Sequence, residues 1–300
     1  MPRILLIGKT GQVGHYLLQS LAPLGEVIAP DRTELDLTRG DSIRAAIREA
    51  RPHFIVNAGG WTIVDQVERE PELAMQVNGI APGIMAEEAR RCGALFVHYS
   101  TVFVFDGTKQ QPYVEEDAPK PVNSYGRSKL AGERAIAAAG GHYLILRASW
   151  TYSRRRSNFP LALLKSAREK KELAIVDDQV GSPTWARAYA ESTAEMVKQS
   201  DRLRERSGLY HLSSEGETTR YDWARKIIEL AKEYTGESSG WASLRPIPSS
   251  EYPHVAPRPL RTVLNNEKFH AAFGIRMSNW EDQLRAFMRE WAARNRISAG

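Results

Sequence analysis

The feature that most constrains this chain is a glycine-rich turn placed directly after a short apolar run. Arg3–Ile7 reads as a buried strand and ends at Gly8. Gly8-Lys9-Thr10-Gly11-Gln12-Val13-Gly14 follows, leading into a helical pattern of Val13, Leu17, Leu18 and Leu21 that stops near Pro23 and Gly25. Glycines allow a tight turn and let backbone N–H groups approach an anion, and the helix N-terminus adds partial positive charge. The unit predicts a dinucleotide pyrophosphate held at Gly8, Thr10, Gly11, Gln12 and Val13.

The alternation continues for 150 residues. Strands are expected at 26–29, 54–56, 94–99 and 143–146. Helices are expected at 42–50 with Asp41 as N-cap, at 71–92 with Gly93 past its end, and at 124–139. Such repeats predict right-handed βαβ units: an α/β chain with a Rossmann-type, doubly wound parallel sheet. The second half is less regular. Helices fit 158–170, 186–199, 221–234 and 280–294, and short strands fit 173–176 and 209–212. The expected organisation is a dinucleotide-binding domain at 1–150, with a return at about 177–213. A smaller mixed α/β substrate portion takes 151–176 and 214–300. Five prolines in 238–259 predict an irregular loop of the kind that covers a ligand.

Composition removes other classes. Apolar residues at 42% and charged residues at 26% are a globular balance, which excludes disorder. The net charge of +5 is small, and the one tight basic run, Arg154-Arg155-Arg156, reads as a solvated loop, so no nucleic-acid partner is expected. No apolar run reaches membrane-helix length, and the N-terminal residues lack a signal-peptide layout, so cytoplasm is the expected compartment. The single cysteine, Cys92, excludes an intramolecular disulfide and reads as a packed residue late in a helix. His15, His53 and His211 are scattered, and Asp65 and Glu68 lack companion ligands, so no metal is expected.

Beyond the second strand stand Asp31 and Arg32. A carboxylate there suits the 2′-hydroxyl of NAD and a guanidinium the 2′-phosphate of NADP, so both NAD(H) and NADP(H) stay open. Asp36 and Leu37 come next, suited to the adenine edge. Tyr125-Gly126-Arg127-Ser128-Lys129 puts a phenol and an ammonium four residues apart on one helical face. A neighbouring cation is expected to lower the tyrosine pKa, so that Tyr125 protonates a carbonyl oxygen as hydride arrives. Thr101, at the end of the fourth strand, is placed to hydrogen-bond the same oxygen.

These motifs, in this order, resemble the dTDP-4-dehydrorhamnose reductase family of extended short-chain dehydrogenase/reductases. The likeness adds Asn57-Ala58, Val77-Asn78, Ser100-Thr101, Val104-Phe105-Asp106-Gly107, Arg147-Ala148-Ser149-Trp150, Asn158-Phe159, 178–184 and Val263-Leu264-Asn265. The resemblance implies reduction of a 4-keto nucleotide sugar by NADPH or NADH, with Thr101, Tyr125 and Lys129 catalytic. It also implies a cofactor lining of Ala58, Gly59, Gly60, Thr62, Asn78, Ser100, Tyr125 and Lys129, and sugar contacts from Trp150 and Asn158. Two departures stand out. Val102 and Phe103 replace the family's Asp-Tyr, and Gly59-Gly60-Trp61 interrupts its alanine run. If Val102, Phe103 and Trp61 face the carbonyl beside Thr101, a less polar ketone or aldehyde becomes an alternative substrate. Family members that bind Mg²⁺ use glutamates at a dimer contact; the matching Tyr16 and Arg187 imply no metal here, and a homodimer is one expected assembly. Competing functions are a nucleotide-sugar epimerase or dehydratase of the same superfamily and a non-catalytic NADP-binding regulatory subunit.

Overall fold

The computed structural model describes residues 1–297. Its centre is a six-stranded, wholly parallel sheet. The strands are β1 (Arg3–Ile7), β2 (Glu26–Ile28), β3 (Phe54–Asn57), β4 (Leu95–Thr101) and β5 (Tyr143–Ala148), with β10 (Gly208–His211) added late in the chain. Their spatial order is β10-β5-β4-β3-β1-β2. The alternation of the first strand explains the layering. Ile4 and Leu6 enter one core with Val56, Val97 and Leu146, whereas Leu5 and Ile7 enter a second core with Ile55, Phe96 and Ile145 on the opposite face. A sheet buried on both faces needs helices on both, which the crossovers supply. They are α1 (Gln12–Leu21), α2 (Gly40–Ala50), α3 (Val64–Arg69), α4 (Pro71–Ala74), α5 (Ala81–Cys92) and α6 (Ser124–Ala138).

The rest of the chain forms short sheets and helices. β7 (Glu172–Val176) and β12 (Ser243–Ile247) pair in parallel, and β6 (Thr151–Tyr152) pairs with β9 (Thr184–Trp185). β8 (Val180–Gly181) sits between β11 (Thr218–Thr219) and β13 (Arg261–Thr262). α7 (Phe159–Glu169), α8 (Ala186–Val197), α9 (Ser200–Leu203), α10 (Arg220–Thr235), α11 (Glu267–Phe273) and α12 (Trp280–Ile297) complete it. Among the described residues no helix is long and apolar enough to cross a membrane.

Several expectations need correction. The helix expected at 71–92 changes register, because Met75–Ile80 is π-helical. Pro82 has no N–H to return to the Asn78 carbonyl, and the wider turn relieves its ring. Strand β12 runs through the segment read as irregular; its Pro246 is tolerated because a two-stranded sheet has only edges. Asp41 is in the first turn of α2 instead of capping it; the N-cap is Arg39. Cys92 is exposed, not packed. β4 and β5 each run two residues past the expected ends, since Ser100 and Thr101 stay in register with Arg147 and Ala148.

Candidate active site

The carboxyl ends of β1, β3 and β4 lie side by side: Ile7 is in register with Asn57, and Asn57 with His98. The chain leaves β1 toward β2 on one side and β3 on the other, so a crevice opens between the loops that follow, the usual ligand position in such sheets. The first loop is the glycine turn. Gly8 has φ +90°, and a Cβ on it would lie 2.6 Å from Gly59 N. A Cβ on Gly14 would lie 2.0 Å from the Gly8 carbonyl. Only glycine permits this approach of loop, helix and neighbouring strand end. Helix α1 starts at Gly11 with no side-chain cap, leaving its first N–H groups for an anion.

Other residues fix this cradle. Lys9 Nζ donates to the Ala29 carbonyl at 2.7 Å, tying the turn to the end of β2. Gln12 Oε1 accepts from Ser153 Oγ at 3.0 Å. Arg156 donates to the Thr10 carbonyl at 2.8 Å and to Thr10 Oγ1 at 3.1 Å. Arg156, exposed as expected for a solvated loop, thus sets a guanidinium beside the glycine turn. Beyond β2, the Asp31 carboxylate accepts from the Thr33 N–H and hydroxyl, which holds its pKa below the usual range. Arg32 beside it is exposed. Asp36 caps Thr38 in the same way. Leu37 packs against Gly59, where an added Cβ would meet it at 3.3 Å.

The loop after β3 holds Ala58, Gly59, Gly60, Trp61 and Thr62. Asn57 Oδ1 accepts from the Gly59 N–H at 2.9 Å. Asn78 accepts from the Trp61 N–H and donates to its carbonyl, both at 2.9 Å, and also donates to Ser128 Oγ. Fully buried and so engaged, the Asn78 side chain shapes the loop instead of lining the crevice as a donor. Ser100 is likewise committed: its hydroxyl donates to Glu133 Oε1 at 2.5 Å, within a buried pair in which Arg147 Nη2 lies 2.7 Å from Glu133 Oε2.

Thr101 and Tyr125 meet. The Thr101 hydroxyl lies beside the Tyr125 phenol, where it favours the phenolate and partly offsets burial. Burial still wins and pushes the phenol up to about 12. The expected lowering by Lys129 is absent, because the ammonium end reaches past the tyrosine to the strand. Lys129 Nζ donates to the Tyr99 carbonyl at 2.6 Å and lies 3.0 Å from His98 Nε2, and burial brings its own pKa down to about 8. Tyr125 packs with Val67, Ala74, Trp61 and Phe103, the Phe103 ring standing edge-on at 5.8 Å.

Val102 is not beside Thr101's hydroxyl as expected. The Thr101 Oγ1 accepts from the Phe103 N–H and starts a 3₁₀ turn over Val102–Val104, which ends strand alternation. Val102 thereby turns inward, 1% exposed, among Val104, Phe105, Tyr113, Leu130 and Leu264. Asn158 also departs from expectation: it caps α7 and donates to the Ser153 and Arg156 carbonyls, so its amide serves the chain itself.

Trp150 has φ +35°, a strained conformation for a side chain of its size. Its indole N–H donates to Thr262 Oγ1 at 2.9 Å, and its ring leaves no room for a Cβ on Gly181. The Arg220 guanidinium lies 3.9 Å above that ring and 4.8 Å from Phe159. No carboxylate pairs with it among the described residues, and burial and the charge of Arg258 bring it down to about 9. Arg258 donates one Nη to Asp65 at 2.9 Å, and its Nη1 is buried without a partner. The Ala256 N–H also donates to Asp65, and Asn123 donates to the Pro257 carbonyl, so the proline-rich loop is fastened over α3 and α6. Sequence reasoning missed Arg220 and Arg258; nothing in their spacing marks them. Among the described residues no cluster of three His, Cys, Asp or Glu side chains could hold a metal ion.

The chain matches the family model described as RmlD substrate binding domain over residues 2–293. It is 43% identical to a dTDP-4-dehydrorhamnose reductase of Burkholderia thailandensis, over 93% of this chain and 95% of that one. It is 39% identical to the enzyme of that name in Escherichia coli K12, over 96% and 97%. Among solved structures, the Bacillus anthracis dTDP-4-dehydrorhamnose reductase in complex with NADP superposes with a TM-score of 0.88 at 30% identity, covering 96% of this chain and 99% of that one. A Thermus thermophilus UDP-glucose 4-epimerase superposes at 0.76 with 19% identity over 95% and 97%, a likeness of fold alone.

Proposed function

The chain belongs to the dTDP-4-dehydrorhamnose reductase family, and from that premise we propose that it reduces the keto group of a dTDP-linked 4-keto sugar with NADP(H). The observation that carries the reading is the Thr101 hydroxyl brought beside the buried Tyr125 phenol at the end of β4, on the same edge of the sheet as the glycine turn that follows β1. The glycine cradle and the uncapped start of α1 suit a dinucleotide pyrophosphate. Gly8, Thr10, Gly11, Gln12 and Val13 would hold it, with Arg156 adding charge, and Ala58–Gly60 and Thr62 would line the ribose and nicotinamide. The bound nicotinamide supplies the hydride. Tyr125 gives its phenolic proton to the carbonyl oxygen, and Thr101 holds that oxygen in line. Tyr125's high pKa in the cofactor-free protein keeps the phenol protonated and ready to donate.

The choice between NADP(H) and NAD(H) turns on Asp31 and Arg32. One carboxylate oxygen of Asp31 is engaged by Thr33 while the Arg32 guanidinium is exposed, which favours a 2′-phosphate. The choice between a nucleotide sugar and an apolar carbonyl turns on Arg220 and Arg258. Of these two neighbouring guanidiniums only Arg258 has a carboxylate partner, and that surplus of positive charge suits a diphosphate. The inward Val102 removes half of the argument for an apolar substrate. Phe103, Trp61 and the 56%-exposed Ile63 still form an apolar margin near Tyr125. In organisation, 1–150 with 177–213 would carry the cofactor and the remaining segments the substrate. The test is NADPH oxidation with the dTDP-4-keto sugar beside simple ketones and aldehydes. Turnover of the sugar nucleotide is expected; no oxidation with any carbonyl would favour the non-catalytic binding subunit.

A further inference from the structure

Beneath Tyr125 lies a buried hydrogen-bond chain whose donors and acceptors can be counted. Asn57 Oδ1 accepts from the Gly59 N–H at 2.9 Å, which fixes the amide's orientation. The amide nitrogen of Asn57 therefore faces His98 Nδ1, at 3.0 Å. An amide NH₂ only donates, so Nδ1 must accept, and the ring proton of neutral His98 sits on Nε2. That N–H points at Lys129 Nζ, 3.0 Å away. Two N–H donors cannot satisfy each other. The chain closes only when Lys129 is an uncharged amine, taking the His98 proton on its lone pair while giving its own N–H to the Tyr99 carbonyl at 2.6 Å.

We infer that His98 is a positioning residue that couples the charge of Lys129 to the loop Ala58–Gly60: at mildly alkaline pH the closed chain holds Lys129 neutral in the cofactor-free protein, and NADPH binding charges it by taking up a proton. The inference rests on the cofactor reading given above. A charged Lys129 requires Nε2 as an acceptor, which puts the ring proton on Nδ1 against the Asn57 NH₂. Asn57 must then turn and release the Gly59 N–H. Protonation at one end and the loop backbone at the other thus exclude or permit each other. Ribose hydroxyls give an ammonium the acceptors that the closed chain withholds.

The surroundings agree. His98 and Asn57 are 0% and 1% exposed, and Lys129 is 4% exposed. Burial, the largest cause, holds His98 well below its ordinary value, and any charge on Lys129 pushes it the same way, so it does not become doubly protonated. The other ionisable neighbours of Lys129 are Tyr125 and Glu133 on α6. Tyr125 is protonated, and Glu133 favours a charged lysine. Glu133 is already neutralised by Arg147 on β5 and engaged by Ser100 on β4, which leaves little field for a second cation.

The test is calorimetric titration of the whole protein with NADPH at pH 8.5, in buffers of different ionisation enthalpy. At that pH the 2′-phosphate, whose second pKa is near 6, is fully ionised and adds no proton change. Wild-type protein is expected to take up roughly half a proton or more per NADPH bound. Asn57→Asp reverses the chain's polarity, since a carboxylate accepts from both the Gly59 N–H and His98 Nδ1–H, leaving Nε2 to accept from a charged Lys129. Its uptake is expected to fall below about a tenth of a proton. Nitrogen NMR of ring-labelled wild-type protein without cofactor is expected to show His98 protonated at Nε2. This arm stands even if the variant does not fold. Binding without uptake, unchanged uptake in Asn57→Asp, or a proton on Nδ1 each overturns the coupling. No NADPH binding at all overturns the cofactor reading, and the ring tautomer then still tests the neutral lysine.

Discussion

The two walls of the crevice are built differently. One consists of short runs at strand ends: Gly8–Gly14, Asn57–Gly60 and Thr101, with backbone approaches at Gly8 and Gly14 that exclude even a Cβ. The other gathers Trp150, Arg220, Arg258 and Thr262 from separate segments, held by one indole hydrogen bond, one ion pair and stacked rings. The first wall has little freedom to vary at Gly8 and Gly14, where an added methyl meets main chain. The second is made of side chains, so its chemistry can change residue by residue without moving the sheet. On the proposed function, reaction type would be read on the first wall and substrate identity on the second.

The largest effect is expected on the first wall. Tyr125→Phe removes the proposed proton donor and keeps the packing against Phe103 and Val67, so turnover should fall by ~10²–10⁴-fold while NADPH affinity holds. Steady-state kinetics with a binding titration checks it; turnover within threefold of wild type would break the assignment. Next comes a pair of neighbours that face different ways. Val102→Asp buries a carboxylate among apolar side chains and should lower stability by about 3 kcal/mol or more, read from the denaturation midpoint. Phe103→Tyr, half-buried beside Tyr125, should leave stability within about 0.5 kcal/mol. If Val102→Asp were instead neutral for stability and raised activity on the 4-keto sugar, Val102 would face the crevice after all.

On the second wall, Arg220→Gln removes charge and keeps some of the stacking on Trp150. It should raise KM for the nucleotide sugar by ~10–100-fold, the weight of a charge-assisted hydrogen bond, with KM for NADPH unchanged. Equal changes in both KM values would mean that the guanidinium supports the fold, not the substrate.

What the sequence disclosed follows the same division. The glycine turn, Thr101 and Tyr125–Lys129 are legible because turn geometry, strand ends and the helical repeat act over a few residues. Arg220 and Arg258 are not, because their neighbours come from elsewhere in the chain. Two errors came from extending a local rule too far. Direct succession to Thr101 put both Val102 and Phe103 in the crevice, whereas the 3₁₀ turn sends Val102 into the core. The helical repeat put Lys129 beside Tyr125, yet a long side chain follows its hydrogen bonds, and those lie on β4.

The smallest effect concerns the point where the first wall leaves a choice open. Asp31 and Arg32 are adjacent and both exposed, so the sequence cannot rank them as readers of the adenosine 2′ position. Their hydrogen bonds can. Asp31 spends one carboxylate oxygen on the Thr33 N–H and hydroxyl, which stabilises the ionised form but turns it into a local turn. Arg32 remains available for a phosphate. An exposed guanidinium is screened by water and salt, so its contribution is modest. Arg32→Ala should raise KM for NADPH by roughly 3–10-fold and leave KM for NADH within twofold, and added salt should shrink the difference. The ratio of the two KM values at low and moderate ionic strength is the measurement. A parallel rise for both cofactors would assign Arg32 to loop structure and leave the 2′-phosphate to another cation.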